Sequence, residues 1–326
     1  MRLASSVRNA DRVRDITEIA VKHGFGYWIE RHQLRNLLPK NWRGGPKPVG
    51  TRGEHMRKMF EELGPTFVKF GQLLSTRPDA IPGDIIVELR KLQDDVPPFS
   101  FEVVEATIEK ELGLTIERLF LEFDEVPMAA ASIGQVHRAV LPNGDQVIVK
   151  VQRPEAEARI RSDTDLLYQL AQLLRDHSPK DLFIDPVGLV DQFSRGIRNE
   201  LDYRVEARNA ERFRENFRDD HTVHIPRVYW QYSTSRVLTL ELVDGVQLAD
   251  IDVATMDMGE RQALATTIAQ CWLKQIYIDG FFHGDPHPAN ILVLEGGAIG
   301  LVDFGIAGRL SDNDRQNIIN LFLDIM

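Results

Sequence analysis

Residues 283–290 read His-Gly-Asp-Pro-His-Pro-Ala-Asn, and a short apolar run separates them from Val-Asp-Phe-Gly at 302–305. The first segment predicts a loop, because Gly, Pro, Asn and Asp are turn-forming residues. Asp285, Asn290 and Asp303 place three oxygen-bearing side chains at the ends of the flanking short strands. Each part is a weak signal alone, but the whole series in this order indicates a built polar site.

The order and spacing of this series resemble the catalytic and metal loops of protein-kinase-like phosphotransferases. Catalysis of phosphoryl transfer consists mostly of positioning and of neutralising dispersed negative charge. Asp303 and Asn290 would supply the oxygen ligands that Mg²⁺ prefers. Asp285 would accept a proton from an attacking hydroxyl, or orient that hydroxyl. The expected fold is therefore α+β and bilobal, as in protein kinases.

A kinase-like site also needs a lysine for the phosphates, and Lys150 in the apolar run Val-Ile-Val-Lys at 147–150 matches it. Strand alternation would point this side chain into a cleft. The alternative is a solvated lysine at a strand edge, which is the commoner fate of such a residue. A hairpin signal, Pro-Asn-Gly-Asp, precedes the run at 142–145.

The segment 129–136 lies where a phosphate-covering loop would belong. It keeps Gly134 and Val136 of the pattern Gly-x-Gly-x-x-Gly-x-Val but has Ala129 and Ala131 at the other glycine positions. Alanine resists positive φ and holds the backbone further from a phosphate, which predicts altered nucleotide preference and poor protein-kinase activity. The alanine run could alternatively begin a helix. The candidate nucleotide-contacting residues are Ala129, Ala130, Ala131, Ser132, Gly134, Val136, Lys150, Glu241 and Val243.

Two further motifs identify a family. Pro-Thr-Phe-Val-Lys-Phe-Gly-Gln at 65–72 resembles the Lys-x-Gly-Gln signature of the UbiB/ABC1/ADCK atypical kinases, and the alanine-rich loop resembles another of its signatures. Asn-Glu-Leu-Asp-Tyr-Arg-Val-Glu at 199–206 resembles the family's Glu-x-Asp signature and the glutamate that follows it. The resemblance covers roughly residues 50–310.

This resemblance implies roles for residues outside the loops. Lys150 and Glu206 would form an ion pair, and both are candidate catalytic residues with Asp285. The family motif residues are Lys69, Gly71, Gln72, Glu200 and Asp202. Lys69 and Gln72 would enter the cleft where a peptide would otherwise dock, with Glu200 and Asp202 as partners of Lys69. Without the resemblance, Lys69 would be interpreted as a surface lysine and the glutamates as solvated helix charges.

The resemblance implies a Mg²⁺-dependent protein that binds ATP or ADP and acts as an ATPase or phosphotransferase. Members of the family support the biosynthesis of ubiquinone and related prenyl lipids at membranes. The expected partners are a membrane lipid or prenylated quinone intermediate and other quinone-biosynthesis proteins. The expected location is the cytoplasmic face of a bacterial membrane, or an organelle matrix in a eukaryote. The alternatives are a small-molecule kinase of the aminoglycoside or choline type and a nucleotide- or lipid-binding scaffold without turnover.

Composition narrows the function further. The net charge of −10 argues against nucleic-acid binding, which needs many basic side chains to contact the phosphates. One cysteine, Cys271, excludes an internal disulfide and a multi-thiolate zinc site. Structural roles are expected for His283 and His287, since no cysteine lies near them.

Residues 1–60 hold 13 Lys/Arg against 5 Asp/Glu, so this basic segment would either pack on the body or contact an anionic membrane.

We divide the chain into a basic helical segment with a linker (1–50), a helical extension (51–125), an N-lobe with inserted helices (126–243) and a partial C-lobe (244–326). Only 21 residues follow Gly305, so we expect a truncated C-lobe. Helices are predicted at 11–38, 51–76, 100–112, 155–176, 186–218, 259–279 and 312–326. Strands are predicted at 136–141, 146–152, 227–233 and 236–243 and on either side of 296–297.

Overall fold

The computed structural model describes residues 2–25, 50–92, 96–177, 185–252 and 254–325. Its helices are α1 (Arg2–Lys22), α2 (Arg52–Leu63), α3 (Pro65–Ser75), α4 (Gly83–Leu89), α5 (Phe101–Leu112), α6 (Ile116–Leu119), α7 (Ala156–His177), α8 (Pro186–Glu200), α9 (Tyr203–Asn216), α10 (Met258–Leu273) and α11 (Asp312–Ile325). Its strands are β1 (Glu122–Phe123), β2 (Ala129–Ala130), β3 (Gly134–Val140), β4 (Gln146–Gln152), β5 (Val223–His224), β6 (Val237–Glu241), β7 (Val246–Gln247), β8 (Phe281–His283), β9 (Ile291–Val293), β10 (Ile299–Leu301) and β11 (Ala307–Arg309). None of the described helices is both long enough and apolar enough to cross a membrane.

The chain divides into two compact units. The helical unit comprises 1–98, 130–133 and 153–197, and the sheet unit comprises 99–129, 134–152 and 198–326. These boundaries differ from the four predicted segments. Helix α7 and most of α8, which follow β4, belong with the N-terminal helices. There Phe70 of α3 meets Phe193 of α8 edge-on at 5.2 Å between ring centroids.

In the helical unit, the predicted helix 51–76 is two helices. A capping box between Thr51 and Glu54 starts α2. Gly64, at φ 97°, ends α2, and Pro65 occupies the first position of α3. Proline suits that position because its missing N–H would be unpaired there anyway. The break turns α3, which carries the Lys-x-Gly-Gln motif, away from the direction of α2.

The N-terminal helix α1 packs within the helical unit. Arg12 binds Asp163 of α7 at 2.7 Å, and Asp163 is 1% exposed. The guanidinium of Arg12 also donates to the carbonyl of Leu63 at 2.8 Å. The helix begins and ends earlier than the predicted 11–38: it ends at Lys22, and Gly24 has φ 88°. The rest of that prediction and the linker lie outside the described residues.

The first sheet of the sheet unit has the order β1-β3-β4-β6, with β2 paired to β3. On β4, Val147, Val149 and Val151 are fully buried against α5 and α6, whereas Ile148 and Lys150 alternate onto the opposite face. The predicted hairpin is confirmed, with Leu141 N–H donating to Asp145 O at 2.9 Å. The alternation sets the direction of Lys150.

Residues 227–233 do not form the predicted strand. They contain one bridge, between Val228 and Leu240, followed by a 3₁₀ turn at Trp230–Tyr232. The Ser233 hydroxyl donates to Tyr229 O at 2.9 Å and stabilises this turn. A serine side chain thereby offers the backbone an alternative to a strand ladder.

The remaining sheets carry the segment 283–305. One has the order β5-β10-β9-β7, and the other pairs β8 with β11. The strands predicted on either side of 296–297 are β9 and β10. The predicted helix 259–279 is α-helical only to Leu273 and continues as a π-helical turn at Lys274–Asp279. As predicted, the last helix is capped by Ser311, whose hydroxyl accepts from Asp314 N–H at 3.2 Å.

Gly134 gives a test of this packing. A Cβ added at Gly134 would lie 2.5 Å from Val151 O and against the Tyr203 hydroxyl. We expect Gly134→Ala to lower the free energy of unfolding by about 1–3 kcal/mol, because the backbone carbonyl can move little. Denaturant unfolding followed by circular dichroism measures this change.

The matched control is Gly196→Ala in α8. An added Cβ there meets nothing within 4 Å, and alanine is favoured over glycine in a helix by about 1 kcal/mol. We therefore expect Gly196→Ala to be neutral or stabilising. Equal stability of the two variants would contradict the assigned packing of Gly134.

Candidate functional site

Three charged side chains of the sheet unit meet at one point, where two carboxylates lie close to the ammonium group of Lys150. The Lys150 Nζ atom lies 2.5 Å from Glu206 Oε1 and 3.9 Å from Asp303 Oδ1. Glu206 is 6% exposed. A strand, a helix and the loop after β10 thus converge on one ammonium group, which is the pairing that the sequence predicted for Lys150 and Glu206.

Electrostatics keep this lysine charged. Burial by itself lowers the pKa of Lys150, but the negative charges of Asp303 and Glu206 outweigh it and raise that pKa above the usual lysine value. Burial raises the pKa of Glu206, and the attraction of Lys150 opposes this effect. The backbone N–H of Phe304 also donates to Glu206. The ammonium is therefore a fixed positive charge next to Asp303.

Helix α9 presents Glu206 because the predicted helix 186–218 breaks after Glu200. Asp202 caps α9, with its carboxylate accepting from Arg204 N–H at 3.1 Å. The Arg204 guanidinium binds the same carboxylate at 2.8 Å and holds its pKa below the usual range. This local cap puts Glu206 in the first turn of α9. The predicted pairing of Asp202 and Glu200 with Lys69 stays a prediction.

Asp303 has a strained backbone. Its φ is 61°, and no other non-glycine residue among those described has a positive φ. Such a conformation costs roughly 1–3 kcal/mol and persists only where the surroundings enforce it. Gly305 N–H donates to Asp303 Oδ1 at 3.3 Å, and Asn209 of α9 donates to Phe304 O at 2.9 Å. These contacts fix the carboxylate from both sides of the loop.

The Phe304 ring anchors the same loop in the core. It is fully buried and lies 5.4 Å from Phe213 and 5.6 Å from His283, measured between ring centroids. Phe213 belongs to α9, so that helix holds the loop through the Glu206 carboxylate, the Asn209 amide and the Phe213 ring. The position of Asp303 therefore depends on α9.

His283 links the two loops of the site. Its Nε2 donates to Val302 O at 3.1 Å, and its Nδ1 accepts from Asp285 N–H at 3.2 Å. Its own backbone N–H donates to Gln275 Oε1 at 2.8 Å. These bonds agree with the structural role predicted for this histidine. His287 has a similar role, with Nδ1 accepting from Ala289 N–H at 3.2 Å.

Asp285 and Asn290 are held together. Asn290 Nδ2 donates to Asp285 Oδ2 at 2.9 Å, and Val302 N–H donates to Asn290 O at 3.0 Å. The second bond brings Asn290 beside the residue that precedes Asp303. The amide oxygen of Asn290 accepts no hydrogen bond from any residue that the structure describes.

This donor set fits Mg²⁺ bound together with phosphates. Mg²⁺ in phosphoryl-transfer sites takes one or two carboxylates and completes its shell with phosphate oxygens and water. Asp303 offers such a carboxylate, and Asn290 offers an amide oxygen. Within the described ranges no group of three or more His, Cys, Asp or Glu side chains could hold a metal ion alone.

The alanine-rich segment has an ordinary backbone. Ala129 and Ala130 form β2, and none of the alanines has a positive φ. Ser132 is 3% exposed. Residues 130–133 belong to the helical unit, and their contact with a nucleotide stays a prediction. Val136 pairs with Lys150 across the β3–β4 ladder.

The side chain of Glu241 is already occupied. Its carboxylate accepts from His224 Nε2 at 3.1 Å and from Arg227 N–H at 3.0 Å. Any contact of Glu241 with a nucleotide would therefore come from its backbone rather than its carboxylate. Val243 lies close to Gly300, where an added Cβ would be 2.9 Å from Val243 Cγ1.

The Lys-x-Gly-Gln residues lie on α3 in the helical unit. Gly71 packs against Leu92 and Phe60, and a Cβ there would lie 2.5 and 2.6 Å from their side-chain atoms. Gln72 Nε2 donates to Leu92 O at 3.2 Å. Lys69 is half-buried. Gly71 and Gln72 thus have packing roles, and entry of Lys69 and Gln72 into a cleft stays a prediction.

Sequence reasoning missed two residues of the site. Asn209 holds the Phe304 carbonyl, and Gln275, a fully buried residue of the π-helical turn, holds the His283 amide. The available signal was spacing: Asn209 follows Glu206 by three residues and so shares its helix face. No pattern in the sequence marks Gln275.

Comparisons with known proteins identify the family of this chain. The ABC1 atypical kinase-like domain matches residues 91–326. The probable protein kinase UbiB of Marinobacter nauticus is 41% identical over 279 residues, which cover 84% of this chain and 51% of that protein. The chloroplastic Arabidopsis thaliana protein ACTIVITY OF BC1 COMPLEX KINASE 7 is 42% identical over 270 residues, 83% of this chain and 39% of that protein. The chain spans about half the length of the curated relatives it matches.

Among solved structures, the complex of Rv3197 with erythromycin from Mycobacterium tuberculosis superposes with a TM-score of 0.60 at 31% identity. The match covers 76% of this chain and 62% of that one. The predicted kinase-like α+β fold and the predicted resemblance are both confirmed. This chain belongs to the ABC1 family of atypical kinase-like domains.

Proposed function

We propose that this chain binds Mg-ATP at Lys150, Asn290 and Asp303 and turns it over as an atypical kinase or ATPase. The observation that carries the proposal is the position of Lys150, bound to Glu206 at 2.5 Å with Asp303 at 3.9 Å. The strained φ of Asp303 supports it, because strain of this kind concentrates at functional sites.

Each residue then has a defined task. The Lys150 ammonium neutralises phosphate charge, and Glu206 holds it in place. Asp303 and Asn290 would hold Mg²⁺, which would supply positive charge against the negative charge that develops during phosphoryl transfer. Asp285 orients the attacking oxygen, from water or from a substrate hydroxyl, and accepts its proton. Asn290 restrains Asp285 through the 2.9 Å bond.

We place this activity in the biosynthesis of ubiquinone or a related prenyl lipid, peripheral to a membrane. The names of the UbiB relatives and the family signatures support this setting. The substrate would be a membrane lipid or prenylated quinone intermediate, with ATP turnover coupled to moving it. The cytoplasmic face of a bacterial membrane is the proposed location, and other quinone-biosynthesis proteins are the proposed partners.

A second candidate is phosphorylation of a soluble small molecule. The Mycobacterium tuberculosis relative was solved with erythromycin, which shows that a protein of similar fold takes a hydroxylated small molecule. The two candidates differ in what accelerates ATP turnover. Vesicles of phosphatidylglycerol with a quinone-head-group phenol would do so in the first case, and a soluble alcohol alone in the second.

The first test of the nucleotide site is Asp303→Asn. This change keeps the size of the side chain and removes the charge that binds Mg²⁺, so we expect at least a 10-fold loss of Mg²⁺-dependent ATP affinity and loss of turnover. Titration calorimetry with and without Mg²⁺ measures the affinity. The control is Asp219→Asn, an exposed aspartate outside the site, and equal behaviour of the two variants would sink the proposed site.

A second test concerns Asn209. Asn209→Ala removes the donor to Phe304 O and leaves that carbonyl without its partner, which relaxes the loop that carries Asp303. We expect a loss of Mg²⁺-dependent nucleotide affinity of about 10-fold, in the range found for residues that orient metal ligands.

The matched control for that test is Asn313→Ala, an exposed residue of α11. It should leave nucleotide affinity unchanged. Affinity without Mg²⁺ should change little in either variant, because Asn209 acts through the metal ligand. Wild-type Mg²⁺ dependence in Asn209→Ala would show that the loop needs no support from Asn209.

A further inference from the structure

The outer face of the sheet unit has an arginine-rich groove that the proposed function does not use. It lies along the second half of α9 and beside β5, and its volume is about 870 Å³. We call it the arginine groove after the five arginines that line it: Arg208, Arg212, Arg214, Arg218 and Arg227.

Four carboxylates also line the groove, and two of them are engaged by uncharged donors. Glu211 accepts from Trp230 Nε1 at 2.7 Å. Asp220 accepts from the backbone N–H of Thr222 at 3.0 Å and from its hydroxyl at 2.6 Å. Each of these carboxylates therefore has a structural partner other than an arginine.

The other two carboxylates are engaged as well. Glu215 pairs with Arg218 one turn later on α9. Glu241 binds His224 Nε2 at 3.1 Å and Arg227 N–H at 3.0 Å. The contact with Arg227 uses its backbone, and the guanidinium of that residue attracts the Glu241 and Asp145 carboxylates without forming an ion pair with either.

Four guanidinium groups of the groove thus form no ion pair with a carboxylate in the described part of the chain: those of Arg208, Arg212, Arg214 and Arg227. Arg212 stacks over Phe281, with its Cζ 4.3 Å from the ring centroid, which orients its guanidinium. All four side chains are exposed.

Neighbouring arginines on α9 repel each other. Like charges four residues apart on a helix, such as Arg208 and Arg212, repel each other by a few tenths of a kcal/mol. The groove holds five arginines against four carboxylates, whereas the chain as a whole carries a net charge of −10. Guanidinium groups match phosphate oxygens in geometry and bind them with two parallel hydrogen bonds.

We propose that the arginine groove binds a phosphate-bearing anion at a site separate from the candidate nucleotide site. Arg214 and Arg227, which lie towards the His224–Glu241 pair, hold the anion, and Arg208 and Arg212 extend the site along α9. The phosphate belongs either to a soluble phosphate compound or to the head group of an anionic lipid.

Inorganic pyrophosphate, titrated without Mg²⁺ or nucleotide, tests the soluble source by calorimetry. Co-sedimentation with phosphatidylglycerol vesicles, compared with phosphatidylcholine vesicles, tests the lipid source. The test variant is the double substitution Arg214→Gln with Arg227→Gln, and we expect at least a 10-fold loss of binding because each group gives a charge-assisted hydrogen bond. The matched control is Arg118→Gln, an exposed arginine on α6, which should bind as the wild type does.

Binding of pyrophosphate that the double variant loses supports a soluble ligand. Binding confined to phosphatidylglycerol vesicles and lost in the double variant supports a lipid head group. Absence of both kinds of binding, or equal binding by the double variant and the wild type, overturns the proposal. Mg²⁺-dependent ATP affinity should stay unchanged in the double variant, so failure here and failure of the proposed nucleotide site are separately visible.

Discussion

The buried ion pair between Lys150 and Glu206 is the constraint on which the rest of the site depends. Taking two charges out of water is costly, and leaving one of them without its partner costs roughly 3–5 kcal/mol. The pair therefore fixes the position of α9 relative to β4. Asp303, 3.9 Å from the same ammonium, adds a second carboxylate, which favours keeping a positive charge there. A bound cation or phosphate would meet charged groups whose positions the fold has already fixed.

Most of the remaining organisation is carried by hydrogen bonds from side chains to backbone. Asn209 holds the carbonyl of Phe304, Gln275 holds the amide of His283, and His283 holds the carbonyl of Val302. Such bonds fix the path of the loops rather than the charges themselves. The strain at Asp303 can persist because these contacts determine the conformation of its neighbours. The π-helical turn brings Gln275 to its position, as expected for a device found near functional sites.

The sequence predicted those parts of the site whose chemistry is local. Lys150 was predicted from its match to the kinase-like pattern, with strand alternation giving the direction of its side chain. Asp303 and Asn290 were predicted from their order in the 283–305 segment, which resembles the kinase loops. The sequence did not predict Asn209, because its hydrogen bond joins residues far apart in the chain. It did not predict Gln275, because that residue lies in an irregular helical turn. The division into two units was not predicted for a related reason. Long-range packing, such as that of Phe193 on Phe70, places α8 in the helical unit, and hydrophobic periodicity does not show which partner a helix packs against. The strand predicted at 227–233 is replaced by a turn that the Ser233 and Thr239 hydroxyls stabilise by donating to the carbonyls of Tyr229 and Tyr232.

The alanine-rich segment shows how a glycine position divides into two requirements. Glycine can be needed for a positive φ or for the absence of a side chain. Ala129, Ala130 and Ala131 have ordinary φ values, so this backbone path does not require the first. Gly134 also lacks a positive φ, yet Val151 O and the Tyr203 hydroxyl leave no room for a Cβ. The one glycine kept in this segment is therefore explained by packing.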